Sequence, residues 1–180
     1  NGSNILYDAD VANTTNKYIG NVTYTRNGSG PITVAAGSID EITQNLTLNS
    51  AGGISLFKIK LNGATDGIID QLGSQPISIN ELTIEKAGLG KVTLNKPVTI
   101  TTNSTFNRGA IFTANAKELI FNNGATAVNA FDSSYVSGPV LKFGNQAFTF
   151  PLGSVNKYAP LTISAPANTT DQFKVGWDHQ

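Results

Sequence analysis

A three-residue unit, apolar–Thr–apolar, recurs along the chain. It appears as Val22-Thr23-Tyr24, Ile32-Thr33-Val34, Leu46-Thr47-Leu48, Leu82-Thr83-Ile84, Val92-Thr93-Leu94, Val98-Thr99-Ile100, Phe148-Thr149-Phe150 and Leu161-Thr162-Ile163. Alternation with a period of two around a β-branched centre is the pattern of a half-buried strand, with the flanking apolar side chains turned inward and Thr outward. Turn-forming residues punctuate these units at Asn27-Gly28, Gly52-Gly53, Asn62-Gly63 and Asn122-Asn123-Gly124. Helical spacing is nearly absent, and its best stretch, Ala114 to Phe121, is short and runs into a turn. The pattern predicts an all-β chain of many short strands.

Two all-β architectures compete, a parallel β-solenoid (β-helix-like) and, as the alternative, a β-sandwich of antiparallel hairpins. The units lie six residues apart at Thr93 and Thr99 but 36 apart at Thr47 and Thr83. Such irregular spacing suits solenoid rungs that each carry several short strands, with insertions at the corners. Frequent Asn suits it too, because stacked Asn side chains hydrogen-bond along a ladder. A sandwich calls for longer alternating strands and cleaner hairpin loops. The pattern therefore favours the solenoid. Beyond Tyr135 the text changes to Gly138-Pro139-Val140, an aromatic-rich Phe143 to Phe150, then Pro151, Tyr158-Ala159-Pro160 and Pro166. Residues 1–133 are expected to form the rungs, with an N-terminal extension, and residues 134–180 a β-rich C-terminal cap.

Composition narrows the function classes. Twelve basic and twelve acidic residues give a net charge of zero, which removes the electrostatic warrant for nucleic acid or an anionic membrane. Charged residues are 13% of the 180, about half the usual share, so polarity comes from Asn, Thr and Ser. The lack of Cys excludes disulfides, thiol chemistry and Cys-held zinc or iron–sulfur sites. No run approaches the roughly 18 apolar residues of a membrane span. With no Met, even at position 1, the chain is expected to be a mature or excised segment that a signal peptide could have preceded.

The candidate chemistry is sparse. The single His, His179, sits one residue from the terminus, a poor place to hold a catalytic imidazole. A carboxylate-based hydrolase acting on acidic polysaccharide would draw on Asp66 and Asp70, on Asp8 and Asp10 or on Asp132, with Arg26 or Arg108 as the uronate clamp. Turn and capping roles account for these acids more simply, and no enzyme activity is expected. Asp8-Ala9-Asp10 followed by Asn13 has the oxygen density that Ca²⁺ wants, which makes Asp8 and Asp10 the candidate metal ligands. The Thr set (Thr23, Thr47, Thr83, Thr93, Thr99 and Thr162) would order water on ice only if it stacked as one flat, regular array. Trp177, Tyr135, Tyr158 and Phe143 are candidates for stacking on sugar rings. Seven Asn-x-Ser/Thr sequons, at Asn1, Asn13, Asn21, Asn27, Asn45, Asn103 and Asn168, carry little weight in a chain this rich in Asn and Thr.

The run from Leu82-Thr83-Ile84 through Val92-Thr93-Leu94 to Pro97-Val98-Thr99-Ile100 resembles the repeat text of large cell-surface and secreted proteins of Bacteroidota. Tyr135-Val136-Ser137-Gly138-Pro139-Val140, Phe148-Thr149-Phe150-Pro151-Leu152-Gly153 and Tyr158-Ala159-Pro160-Leu161 are similar to the segment that closes such repeats. The likeness runs over roughly residues 18–173. It implies export by the type IX route, an extracellular or cell-surface location and a gliding- or adhesin-like setting, with no catalytic motif to carry over. The expected function is a structural module of a bacterial surface adhesin or filament. Its partners would be copies of itself or neighbouring repeats, joined through the ends Asn1 to Ile19 and Phe173 to Gln180. The alternatives are a glycan-binding module, then a polysaccharide-cleaving β-helix or an ice-binding protein.

Overall fold

The computed structural model describes residues 3–5, 15–34, 36–88 and 90–177, the first three as backbone. These residues form twenty-one short strands and no helix, so no helix is long and apolar enough to cross a membrane. Two parallel sheets wind around one core as a β-solenoid of about 5 turns, the architecture the spacing favoured.

Each turn has three faces, and the chain's phase creates them. On the first face Val22, Leu46, Ile69 and Leu94 stack in register, one per turn. The other two faces belong to one sheet whose strands bend. In Ile54–Leu61 the alternation breaks at Phe57 and Lys58, where two consecutive side chains point outward. Ile77–Glu85 breaks in the same way at Asn80 and Glu81. A strand that repeats its outward phase must turn to keep its next apolar residue inside. In Val98–Arg108 three residues, Thr101 to Asn103, occupy the bend, and the register slips there by one.

The core is the inward column of each face. Ile54, Ile77, Val98, Leu119 and Val140 line the second face, and Ile42, Leu61, Ile84 and Phe106 the third; all are buried. Turns differ in length because corners absorb insertions: Val22 lies over Leu46, 24 residues on, while Val92 lies over Ile111, 19 residues on. Corner Asn side chains bond from one turn to the next, here to backbone N–H and Thr hydroxyl donors and not as stacked Asn–Asn pairs. Asn21 Oδ1 accepts from the Asn45 N–H, Asn45 Oδ1 from the Ile68 N–H, and Asn80 Oδ1 from the Thr101 hydroxyl. Rungs touch closely enough to require glycine at some corners. A Cβ at Gly52 would sit 2.1 Å from the Gly30 carbonyl oxygen, whereas one at adjacent Gly53 would meet nothing.

On the second face parallel stacking ends at Val140–Phe143, on which Gln172–Val175 lies antiparallel. Two small hairpins follow the same strand, one joining Phe148–Phe150 to Leu161–Ile163 and one joining Gly153–Ser154 to Lys157–Tyr158. Phe148 and Phe150 plug the end of the core, with ring centroids 5.0 Å apart edge to face, and Phe148 lies 5.0 Å from Phe121.

Candidate functional site

The two ends of the solenoid differ in kind. The outermost N-terminal strands are Ser3–Ile5 on the first face, Ile32–Thr33 on the second and Thr15–Tyr18 on the third. Among the described residues each pairs on one side only, with Val22–Tyr24, Ile54–Ser55 and Ile39–Ile42 respectively. Their outer edges present backbone N–H and C=O groups as a template for another strand. The other end is closed on the second face by the antiparallel Gln172–Val175 and inside by the Phe148–Phe150 plug, while on its third face Thr126–Val128 pairs, among the described residues, only with Val98–Arg108.

The apolar core under the N-terminal edge holds a buried polar cluster. Asp40 points inward and is fully buried, which is costly for a carboxylate unless its oxygens are bonded. Both are: the Tyr24 hydroxyl donates to Oδ2 at 2.5 Å and Asn16 Nδ2 to Oδ1 at 2.9 Å. Beside this edge the apolar side chain of Ile19 is 97% exposed.

Charges alternate up the outside of the third face. Lys17 lies 3.8 Å from Glu41, Glu41 3.6 Å from Lys60, and Lys60 2.8 Å from Glu85. Lys58 and Glu81 pair alongside at 3.0 Å. The hydrogen bond that Lys60 donates to Glu85 raises the Lys60 pKa above 10.5, and the same bond lowers Glu85 below 4.5. Such exposed pairs contribute little stability each, but alternating signs favour one register between stacked strands.

Among the described residues, the acids that a hydrolase would draw on are Asp66, Asp70 and Asp132. Asp66 accepts from the Lys91 N–H at 3.0 Å and pairs with the Lys91 ammonium at 3.6 Å. Asp70 accepts from Asn95 Nδ2 at 3.1 Å, one turn on. Arg26 donates to the Pro31 carbonyl at 2.7 Å, and Arg108 stands in register with Glu85. Asp132 fastens the cap, accepting from the Tyr158 N–H at 3.0 Å and from Lys157 at 2.9 Å; these bonds lower its pKa. Asp66, Asp70 and Asp132 thus each have a local structural partner. Asp8, Asp10 and Asn13, the candidate Ca²⁺ ligands, lie outside the described residues, as does His179. Among the described residues no three His, Cys, Asp or Glu side chains cluster to hold a metal ion.

The Thr set does not form one array. Thr23 and Thr47 share a column on the first face, and Thr93 stands in another column there. Thr99 is on the second face, Thr83 on the third, and Thr162 bonds Thr149 in a cap hairpin. Of the aromatic candidates, Tyr135 is buried and accepts a hydrogen bond from the Asn156 N–H, while Phe143 and Tyr158 are half-buried. Trp177 is half-exposed and lines an open groove with Phe112. Sequence reasoning missed Phe112; the available signal was an aromatic residue out of phase with inward Ile111. No family model matches the chain, and neither a curated protein nor a solved structure matches it.

Proposed function

We propose that this protein is a structural module of an extracellular bacterial adhesin or filament and is not an enzyme. Its N-terminal edge takes up a strand from a second copy or from a neighbouring repeat. The observation that supports this reading is the N-terminal edge: among the described residues the outermost strand of all three faces pairs on one side only there, whereas at the other end an antiparallel strand covers the second face and an aromatic plug the core. A solenoid adds stability rung by rung, so an open end gains both backbone hydrogen bonds and buried apolar surface when it is continued. Exposed Ile19 and the alternating Lys17–Glu41–Lys60–Glu85 ladder give an incoming strand an apolar contact and a preferred register. The likeness to exported Bacteroidota repeats supports a cell-surface location. Low charge and the absence of thiols suit a surface exposed to changing salt and oxidants.

The test is deletion of residues 1–16, compared with the whole chain by negative-stain electron microscopy and sedimentation. Loss of end-to-end assembly with an unchanged β circular dichroism spectrum supports the reading. Assembly that survives the deletion overturns it, and so does a whole chain that stays monomeric at high concentration.

A further inference from the structure

We propose that the groove between Phe112 and Trp177 is a binding site for neutral oligosaccharide, independent of the assembly edge. The groove is open to solvent and has a volume of about 810 Å³, within the roughly 300–1,000 Å³ range of small-molecule sites. It forms where three segments meet: the corner after Ala110–Phe112, the Gly138-Pro139 corner one turn on, and the end of the cap strand at Lys174, Gly176 and Trp177.

Its floor is fixed before any ligand arrives. The Thr113 N–H donates to the Ser137 carbonyl at 3.0 Å, and the Thr113 hydroxyl to the Pro139 carbonyl at 2.9 Å. Gly138 has φ +121°, and a Cβ there would lie 2.3 Å from the Thr113 carbonyl oxygen, so the two rungs are in contact. Lys174 holds the third segment in place through a 2.6 Å ion pair with Glu118. A site built on stacked rungs loses little entropy on binding.

The lining chooses the ligand class. Phe112 and Trp177, 38% and 49% exposed, leave ring surface free in the groove. Asn115 and Ser137 also line it, and their side chains make no hydrogen bond among the described residues. Aromatic faces beside uncommitted amide and hydroxyl groups match a pyranose, which has an apolar C–H face and a rim of hydroxyls. The nearby cations are already compensated, Lys174 by Glu118 and Lys91, which lies 5.4 Å over the Phe112 ring, by Asp66. A groove whose cations are already paired favours a neutral sugar over a uronate or sulfate.

Trp177 is the only Trp, so its emission reads the groove directly. The whole chain is titrated with cellohexaose, laminarihexaose and mannohexaose, with polygalacturonate as the acidic comparison. The expected result is a saturable change in emission with at least one neutral oligosaccharide. Calorimetry should show affinity about tenfold weaker for Phe112→Ala and for Trp177→Ala, each with an unchanged melting temperature. No response to any neutral oligosaccharide at millimolar concentration overturns the proposal. Binding that both substitutions leave unchanged, or a response to polygalacturonate alone, also overturns it. The chain lacking residues 1–16 keeps this binding, so the outcome is separable from the fate of the assembly edge.

Discussion

Lys86 Nζ, wholly buried at a corner of the solenoid, donates to the backbone carbonyl of Asn62 at 2.5 Å and to that of Thr43 at 2.8 Å. The three residues follow the third face in successive turns, so one ammonium caps two corner carbonyls that point inward. Lys142 repeats the device near the other end, donating to Asn122 and Ala125 at 2.6 and 3.2 Å with its charge 5.1 Å from the Phe148 ring centroid.

Replacing Lys86 by Met keeps the length of the side chain and removes both bonds. At neutral pH the orphaned carbonyls should outweigh relief from burying a charge, for a net loss of about 2 kcal/mol. The pH dependence has a definite sign. Burial lowers the Lys86 pKa below 10.5, against an opposing pull from Asp66. Between that lowered value and 10.5 the unfolded chain binds more protons, so wild-type stability rises with pH. Lys86→Met lacks this gain, and its deficit should widen from pH 7 to pH 10 in urea unfolding. A deficit that narrows would show that the ammonium, rather than the two hydrogen bonds, is what Lys86 contributes.

Ser104 stands in the inward column of the third face, in register with Leu82 and Ala127, and its buried hydroxyl has no hydrogen-bond partner. An unpaired buried hydroxyl costs stability, and Ala at this position leaves only a small void. Ser104→Ala should therefore stabilise the protein by about 1 kcal/mol, a rise of roughly 2–4 °C in melting temperature for a chain of this size. Calorimetry decides it: a fall of that size would mean the hydroxyl is satisfied in solution.

The residues themselves explain how much of this was legible. In seven of the eight Thr-centred units the flanking residues are buried, as alternation required; in the eighth, Leu161 is 45% exposed because its hairpin lies at the margin of the cap. The uneven spacing also held real information: Thr93 and Thr99 flank one corner, while Thr47 and Thr83 stand on different faces in successive turns. The bends at Phe57-Lys58 and Asn80-Glu81 went unread, because two outward residues in a row look like a strand's end when the next face is unknown. The buried lysines were hidden for another reason. Lysine is buried only where acceptors converge, and the acceptors of Lys86 come from 24 and 43 positions earlier. The groove depends in the same way on a corner and a cap strand that meet only in the folded chain.

The ion pair between Glu118 and Lys174 joins the last full turn to the cap strand, and it should make cap docking sensitive to acid. Burial pushes the Glu118 carboxyl up, but the hydrogen bond from Lys174, together with those from its own N–H and that of Ala116, holds it below 4.5. A carboxylate whose folded pKa is lowered contributes stability above its ordinary value and loses it as pH falls through the lowered one. Lys174 is 45% exposed along its side chain, so solvent screens the pair, and Glu118→Gln should cost only about 1 kcal/mol at pH 7. That cost should shrink steadily below pH 4.5, until variant and wild type unfold together once Glu118 is protonated. Urea unfolding followed by Trp177 emission, which reports the end of the cap strand, tests this across the acid range. Other carboxylates held low, such as Glu85, affect both proteins alike and drop out of the difference. A gap that stays constant down to full protonation would assign acid sensitivity to those groups and leave the clasp a neutral contact.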